Sequence, residues 1–143
     1  MKFVRPATLV SAFFLLLPTL ALAELPSVRV VVNDISPLEG IVEVSLFDSR
    51  ESFMKEPLLQ QSGSPDENGR FETRFVSLVE GEYAVVVVHD ANNNGKLDTG
   101  FLGFGGESFA YSNNAKRWFT RPDFEDVKVS VDTPDTLVEI NLD

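Results

Sequence analysis

The chain has 143 residues, a formal net charge of −10 at pH 7 and no cysteine. The negative charge excludes nucleic acid and anionic lipid surfaces as favoured partners, because like charges repel. Without cysteine the chain forms no disulfide, so its stability must come from a hydrophobic core, with a bound metal as a further source.

The first 23 residues have the pattern of a secretory signal peptide. Lys2 and Arg5 form a positive start, an apolar run covers residues 7–17, and Ala21-Leu22-Ala23 matches the small-x-small cleavage pattern. The apolar run is too short for a stable membrane span, and an uncleaved anchor helix is the alternative interpretation. We therefore predict a periplasmic or secreted bacterial protein that has no stable membrane span after signal cleavage.

The mature chain, residues 24–143, is predicted to be one β-sandwich domain. Six segments, each bounded by turn residues, either alternate apolar with polar residues or are rich in β-branched residues. These predicted strands are residues 27–34, 41–48, 70–76, 84–88, 124–131 and 136–142. A seventh strand is expected near Phe53 or at residues 108–111, and no segment after the leader has a helical period.

The spacing of the predicted strands indicates the architecture. Short strands separated by turns favour an antiparallel Greek-key sandwich, either transthyretin-like or immunoglobulin-like, with one long ordered loop. Residues 84–88 show no polar alternation, which predicts a central strand that is buried on both faces. Residues 49–68 lack a pattern, and we expect one helical turn at 49–55 followed by loop. The sequence from Leu78 to Tyr83 predicts a tyrosine corner, in which the phenol bonds to nearby backbone.

Residues 89–98 (HDANNNGKLD) have the spacing of a cation-binding loop. In a calcium loop of the EF-hand type, side-chain oxygens at positions 1, 3, 5 and 9 converge, position 6 is a glycine at a sharp turn, and position 7 offers its carbonyl. The residues at positions 1, 3, 5, 6, 7 and 9 are Asp90, Asn92, Asn94, Gly95, Lys96 and Asp98. The pattern predicts a metal site formed by Asp90, Asn92, Asn94, the carbonyl of Lys96 and Asp98.

The calcium pattern fails at position 12, where Phe101 replaces the bidentate glutamate. Glu107 is the nearest later carboxylate, and it closes the site only if the chain folds back. With so few charges we expect a weak Ca²⁺ site, with Kd roughly 10⁻⁴ to 10⁻³ M. The alternative is a plain turn, since Asp, Asn and Gly all favour turns.

Three motifs resemble the bacterial domain-of-unknown-function family 2141. They are residues 89–100 (HDANNNGKLDTG), 112–116 (SNNAK) and 122–126 (PDFED). One departure is Gly105-Gly106 before Glu107, where the family pattern has a proline. The resemblance implies a small exported transthyretin-like or immunoglobulin-like sandwich with no established activity. Asn113 and Asn114 of the second motif either supply amide oxygens to a ligand or cap a turn.

The sequence contains no convincing catalytic motif. His89 is the only histidine, so a multi-histidine metal site is excluded. His89 and Asp90 point to opposite faces of a strand, so they do not jointly activate Ser112 as a nucleophile.

We predict a non-enzymatic binding module, with no catalytic residue and no cofactor other than Ca²⁺. Its expected ligand is a protein or a glycan, and the expected state is a monomer. The alternative is a small hydrolase or carbohydrate-active domain that uses Glu107 with Asp98 or Glu125.

Overall fold

The computed structural model describes residues 24–95, 106–116 and 121–142. The described residues form eight strands, one 3-10 turn and one short helix. The strands are β1 (Val28–Asn33), β2 (Ile41–Phe47), β3 (Leu59–Gly63), β4 (Phe71–Phe75), β5 (Gly81–Asp90), β6 (Ser108–Tyr111), β7 (Val129–Val131) and β8 (Thr136–Asn141). The 3-10 turn covers Ser112–Asn114, and helix α1 covers Phe124–Val127.

The strands form two sheets, which confirms the prediction of an all-β sandwich. One sheet has the order β4-β1-β8, and the other has the order β3-β2-β5-β6, with β7 pairing to the start of β5. All pairings are antiparallel except that of β1 with β8, which is parallel. The transthyretin-like or immunoglobulin-like topology stays a prediction.

The main core lies between the two sheets. Alternating residues of β1, β2 and β5 point toward each other there, because successive side chains of a strand lie on opposite faces. The best-buried members are Val28, Val30, Val32, Val42, Val44, Leu46, Val85, Val87, Val131 and Ile140. Burying a side chain of this size contributes about 1.5–3 kcal/mol, so the alternation in the sequence accounts for the stability of this layer.

A second apolar layer covers the outer face of β5. Ala84 and Val86 pack there with Phe47, Tyr111 and Phe124. The ring of Phe53 joins them, with its centroid 5.5 Å from that of Phe47 in an edge-on arrangement. Residues 83–87 of β5 are therefore buried on both faces, as the unbroken apolar run predicts for the centre of this strand.

The Tyr83 hydroxyl donates a hydrogen bond of 2.8 Å to the carbonyl of Val79, which confirms the predicted tyrosine corner. Residues 108–111 form the expected seventh strand. Strand β3 was missed, because its side chains are exposed or half-buried and so show no apolar alternation.

The prediction of a strand over residues 124–131 is wrong in its first half. Residues Phe124–Val127 form α1, and only Val129–Val131 are extended. The carboxylate of Asp126 accepts the backbone N–H of Asp123 at 2.8 Å, an arrangement that satisfies a donor at the helix start. Helical geometry here buries both Phe124 and Val127, and this local capping outweighs the β-branched content.

Candidate functional site

Strands β5 and β6 position the candidate cation loop at one end of the sandwich. The two strands are antiparallel, with His89 opposite Ser108. Continuing this register by one residue sets Asp90 opposite Glu107, and their side chains are hydrogen-bonded. One carboxyl oxygen of Glu107, Oε1, is buried. The chain therefore folds back as the sequence analysis required, and Asp90 and Glu107 lie together at the base of the loop.

The loop after Asp90 turns back onto the Asp90 carboxylate. The backbone N–H of Gly95 donates to Asp90 Oδ2 at 2.7 Å, and that of Asn94 donates to Asp90 Oδ1 at 3.1 Å. The same Asn94 N–H also reaches Asn92 Oδ1 at 3.0 Å. Because both oxygens contact one nitrogen, the side-chain oxygens of Asp90 and Asn92 lie close together.

Two positions in this turn have left-handed backbone, Asn93 with φ 56° and Gly95 with φ 72°. Asparagine and glycine are the residues that adopt this conformation at the least cost. The run of three asparagines and a glycine thus fits the turn, whether or not a cation is bound.

The electrostatics of Asp90 follow from these contacts. Partial burial would raise the pKa of Asp90, but hydrogen bonds from the Gly95 and Asn94 N–H groups and from the Glu107 side chain outweigh it. The pKa of Asp90 is therefore below its usual value, and this carboxylate is held in its charged form. A hydrogen bond between two carboxyl groups requires a proton on one of them. When both are charged they repel, unless a cation lies between them.

His89, the residue before Asp90, contacts a different part of the chain through its ring. Its ring is buried, with 1% exposure, and Nε2 lies 2.8 Å from the backbone carbonyl of Glu39. A carbonyl only accepts, so Nε2 carries the hydrogen. His89 therefore ties the start of the loop to the turn between β1 and β2.

Residues Ser112–Asn114, at the other end of β6, bond to the backbone of three other elements. The buried Ser112 Oγ accepts the N–H of Val85 at 2.9 Å and also bonds to the carbonyl of Val127. Val85 lies between the part of β5 that pairs with β7 and the part that pairs with β6. The Ser112 hydroxyl therefore fills the gap in the hydrogen bonding of β5.

The two asparagines extend these contacts to the other sheet. Asn114 Oδ1 accepts the N–H of Asn141 at 2.9 Å, and its Nδ2 donates to the carbonyl of Glu139 at 3.3 Å, so the amide pairs with β8 as a neighbouring strand would. Asn113 Nδ2 donates to the carbonyl of Lys128 at 3.0 Å. We call Ser112–Asn114 the clip, because it joins both sheets and α1. The turn-capping interpretation of the two asparagines fits these contacts better than the ligand-binding one.

The comparison with protein families comes down to one match. The model of a family described as an uncharacterized protein conserved in bacteria (DUF2141) matches residues 30–139. The chain belongs to the DUF2141 family. This match confirms the family that the sequence resembles. No curated protein and no solved structure matches the chain.

Of the metal ligands predicted for this DUF2141 chain, four are described. Asp90, Asn92 and Asn94 share one turn, and Glu107 joins Asp90 across the β5–β6 pair. Lys96 and Asp98 lie outside the described residues. Among residues 24–95, 106–116 and 121–142, no three or more His, Cys, Asp or Glu side chains are grouped so that they could hold a metal ion. The donors that are described, carboxylate and amide oxygens, are of the kind that Ca²⁺ prefers.

Ser112 and Glu125, the two described residues that were weighed for catalysis as a nucleophile and as a glycosidase carboxylate, have structural partners in the DUF2141 fold. The Ser112 hydroxyl is buried and bonded to backbone of β5 and α1. Glu125 is ion-paired with Lys128 at 2.9 Å and with Arg50 at 2.8 Å. Hydrogen bonds from Lys128 and Arg50 lower the pKa of Glu125, the opposite of what a general acid needs.

Sequence reasoning missed the residues beneath the loop. Glu39 and Gly40 belong to a segment that the sequence marks only as a turn, SPLEG. Gly40 has φ 92° and lies against the backbone of Asp90 and Ala91. A glycine at the end of a turn signals a left-handed residue, but nothing local reveals which distant backbone it touches.

In the described part of the chain, no helix is long and apolar enough to cross a membrane.

Proposed function

We propose that this DUF2141 protein is an exported, non-enzymatic binding module whose 90–98 loop is stabilised by weakly bound Ca²⁺. The segment of residues 89–121 carries the recognition surface, and its ligand is a protein or a glycan. The leader-like pattern of residues 1–23 supports export to the periplasm or beyond.

The observation that carries the proposal is the pairing of Asp90 with Glu107. The loop N–H groups of Asn94 and Gly95 favour a charged Asp90, while Glu107 lies within hydrogen-bonding distance of it. Two carboxylates side by side repel each other when both are ionised, and a divalent cation between them would remove that repulsion. Asn92 adds an amide oxygen near Asp90, and the sequence spacing adds the Lys96 carbonyl and Asp98.

Two further observations favour binding over catalysis. Ser112, the only nucleophile weighed with His89, is committed to backbone hydrogen bonds in the clip. Glu125 is held charged by two cations. A binding role needs neither residue to react, and both have clear structural roles.

The test is a double variant, Asp90→Ala with Asp98→Ala. For a Kd of roughly 10⁻³ M, about 10 mM Ca²⁺ stabilises the folded wild type by about 1.4 kcal/mol. That raises the Tm of a domain of this size by about 4–8 °C. The double variant should show no rise, because it lacks two carboxylate ligands. Differential scanning calorimetry with and without Ca²⁺ measures both.

The matched control removes two carboxylates elsewhere, in Glu80→Ala with Asp132→Ala. Both residues are exposed and lie near the Gly81–Val131 pair, at the opposite end of β5 from the loop. This control should respond to Ca²⁺ as the wild type does. A wild-type Tm that is insensitive to Ca²⁺ would leave the plain-turn interpretation in place and reject the metal.

A further inference from the structure

The turn between β1 and β2 lies directly beneath the candidate cation loop. A Cβ added at Gly40 would lie 2.1 Å from the carbonyl oxygen of Asp90 and 2.6 Å from Cα of Ala91. Real Cβ contacts do not occur at such distances, and the obstructing atoms are backbone rather than a movable side chain. Any side chain at position 40 must therefore displace the backbone of Asp90 or the turn itself.

A hydrogen bond holds the same two segments together. The buried His89 ring donates from Nε2 to the carbonyl of Glu39, one residue before Gly40. His89 precedes Asp90, so the imidazole and the glycine act on the same short piece of backbone from two directions. The Glu39 carbonyl accepts this bond and Gly40 has no side chain, so the contact between the two segments is made by backbone and by the His89 ring.

Asp90 needs this support, because its two side-chain contacts depend on where its backbone lies. Its carboxylate must meet the N–H groups of Asn94 and Gly95 on one side and Glu107 of the neighbouring segment on the other. A shift of the Asp90 backbone changes both sets of contacts at once. Groups that orient metal ligands without touching the metal commonly change affinity by about 10–100-fold when they are removed.

We infer that Gly40 and His89 are positioning residues for the cation loop, and that the β1–β2 turn is part of the binding site although none of the predicted ligands lies in it. The inference rests on the proposed function, since it concerns the Ca²⁺ affinity of the same loop. It adds two residues to the site: Gly40, which is distant in sequence from every predicted ligand, and His89, which directly precedes Asp90.

The first test is Gly40→Ala, with CaCl₂ titrated into ¹⁵N-labelled protein and the Asn94 and Gly95 amides followed by NMR. We expect the Ca²⁺ Kd to rise about tenfold, with all predicted ligands unchanged. Ser112→Ala is the control for lost stability, because the buried Ser112 hydroxyl bonds to the Val85 N–H and the Val127 carbonyl at the end of β6 away from the loop. This variant should lose stability and keep the wild-type Kd.

The second test uses His89 and does not depend on folding of the glycine variant. His89→Gln keeps an N–H donor at a similar distance from the backbone, and it should bind Ca²⁺ within about twofold of wild type, since the second-shell bond is retained. His89→Leu fills the space but removes the donor, and its Kd should rise about tenfold. If glutamine keeps the Ca²⁺ affinity and leucine lowers it, the hydrogen bond of His89 matters rather than the volume that its ring fills.

The outcomes distinguish this inference from the proposed function. If folded Gly40→Ala or His89→Leu protein binds Ca²⁺ with the wild-type Kd, the inference is overturned and the calcium loop stands. If the wild type shows no saturable Ca²⁺ shifts at Asn94 and Gly95, both proposals are overturned.

Discussion

The segments before and after β6 both use asparagine residues, but the hydrogen bonds of the two segments have different roles. The loop before β6 and the clip after it both contain consecutive asparagines, and both include left-handed residues, Asn93 in the loop and Asn113 and Asn114 in the clip. In the clip, the hydroxyl and amide groups bond to backbone that is 13 to 27 residues away in sequence. In the loop, the N–H groups bond to side chains no more than five residues away.

This difference separates a structural motif from a candidate binding motif. Hydrogen bonds between distant segments exist only in the folded state, so the clip contributes to the stability of the whole sandwich. Bonds inside a short exposed turn form and break with little effect on the core. The loop therefore adds little to the stability of the domain when no cation is bound. The pair of carboxyl groups on Asp90 and Glu107 is the feature of the loop that suits a cation.

The largest effect should come from Ser112→Ala. The change leaves the buried N–H of Val85 and the carbonyl of Val127 without the hydroxyl, and each unsatisfied buried group costs about 1–3 kcal/mol. We expect the free energy of unfolding to fall by about 2–4 kcal/mol in urea denaturation. Ser62→Ala, at an exposed serine of the edge strand β3, should change it by less than about 0.5 kcal/mol. Equal effects of the two variants would contradict the role of the clip.

An intermediate effect on the free energy of unfolding is expected when an asparagine of the clip and an asparagine of the loop are each replaced. Asn114→Gly preserves the left-handed backbone but removes the amide that bonds to Glu139 and Asn141, and it should cost about 1–2 kcal/mol of unfolding free energy. Asn92→Ala removes the local acceptor for the Asn94 N–H, and in Ca²⁺-free buffer it should cost less than about 0.5 kcal/mol. If Asn92→Ala proved as costly as Asn114→Gly, the contrast between loop and clip would not hold.

The smallest effect is the pH dependence of Asp90→Asn without Ca²⁺. The pKa of Asp90 is lowered in the folded state, where hydrogen bonds from Gly95, Asn94 and Glu107 outweigh the opposing effect of burial. A lowered folded pKa contributes stability above the unfolded value, about 3.9, and that contribution is lost as pH falls through the folded pKa. The difference in unfolding free energy between wild type and Asp90→Asn should therefore shrink between about pH 5 and about pH 2. Urea denaturation across that range measures it, and a difference that grew on acidification would have the wrong sign.

Much of the fold was predictable because its signals are local. Alternation placed five of the strands, the unbroken run before His89 indicated a doubly covered strand, and the Leu78–Tyr83 pattern predicted the tyrosine corner. Strand β3 and helix α1 were not predicted. The first has mostly exposed polar side chains, and in the second a capping interaction between Asp123 and Asp126 decides the local conformation of a segment that leads into a strand.

The candidate site was predictable only in part. The spacing of Asp90, Asn92 and Asn94 marked the turn, since those residues are neighbours in sequence. Lys96 and Asp98 remain predictions from the same spacing. The meeting of Asp90 with Glu107 depends on the register of β5 with β6, and no local pattern carries that register.

The sequence by itself determined an all-β chain of this family with a turn rich in oxygen donors after its central strand. Only the tertiary structure decided what lies around that turn: Glu107 beside it, the Glu39–Gly40 backbone beneath it, and the clip that closes the far end of β6. The reason is physical. Strand and turn preferences come from a residue and its near neighbours, whereas contacts between segments 13 to 50 residues apart form only when the sheets have paired and packed.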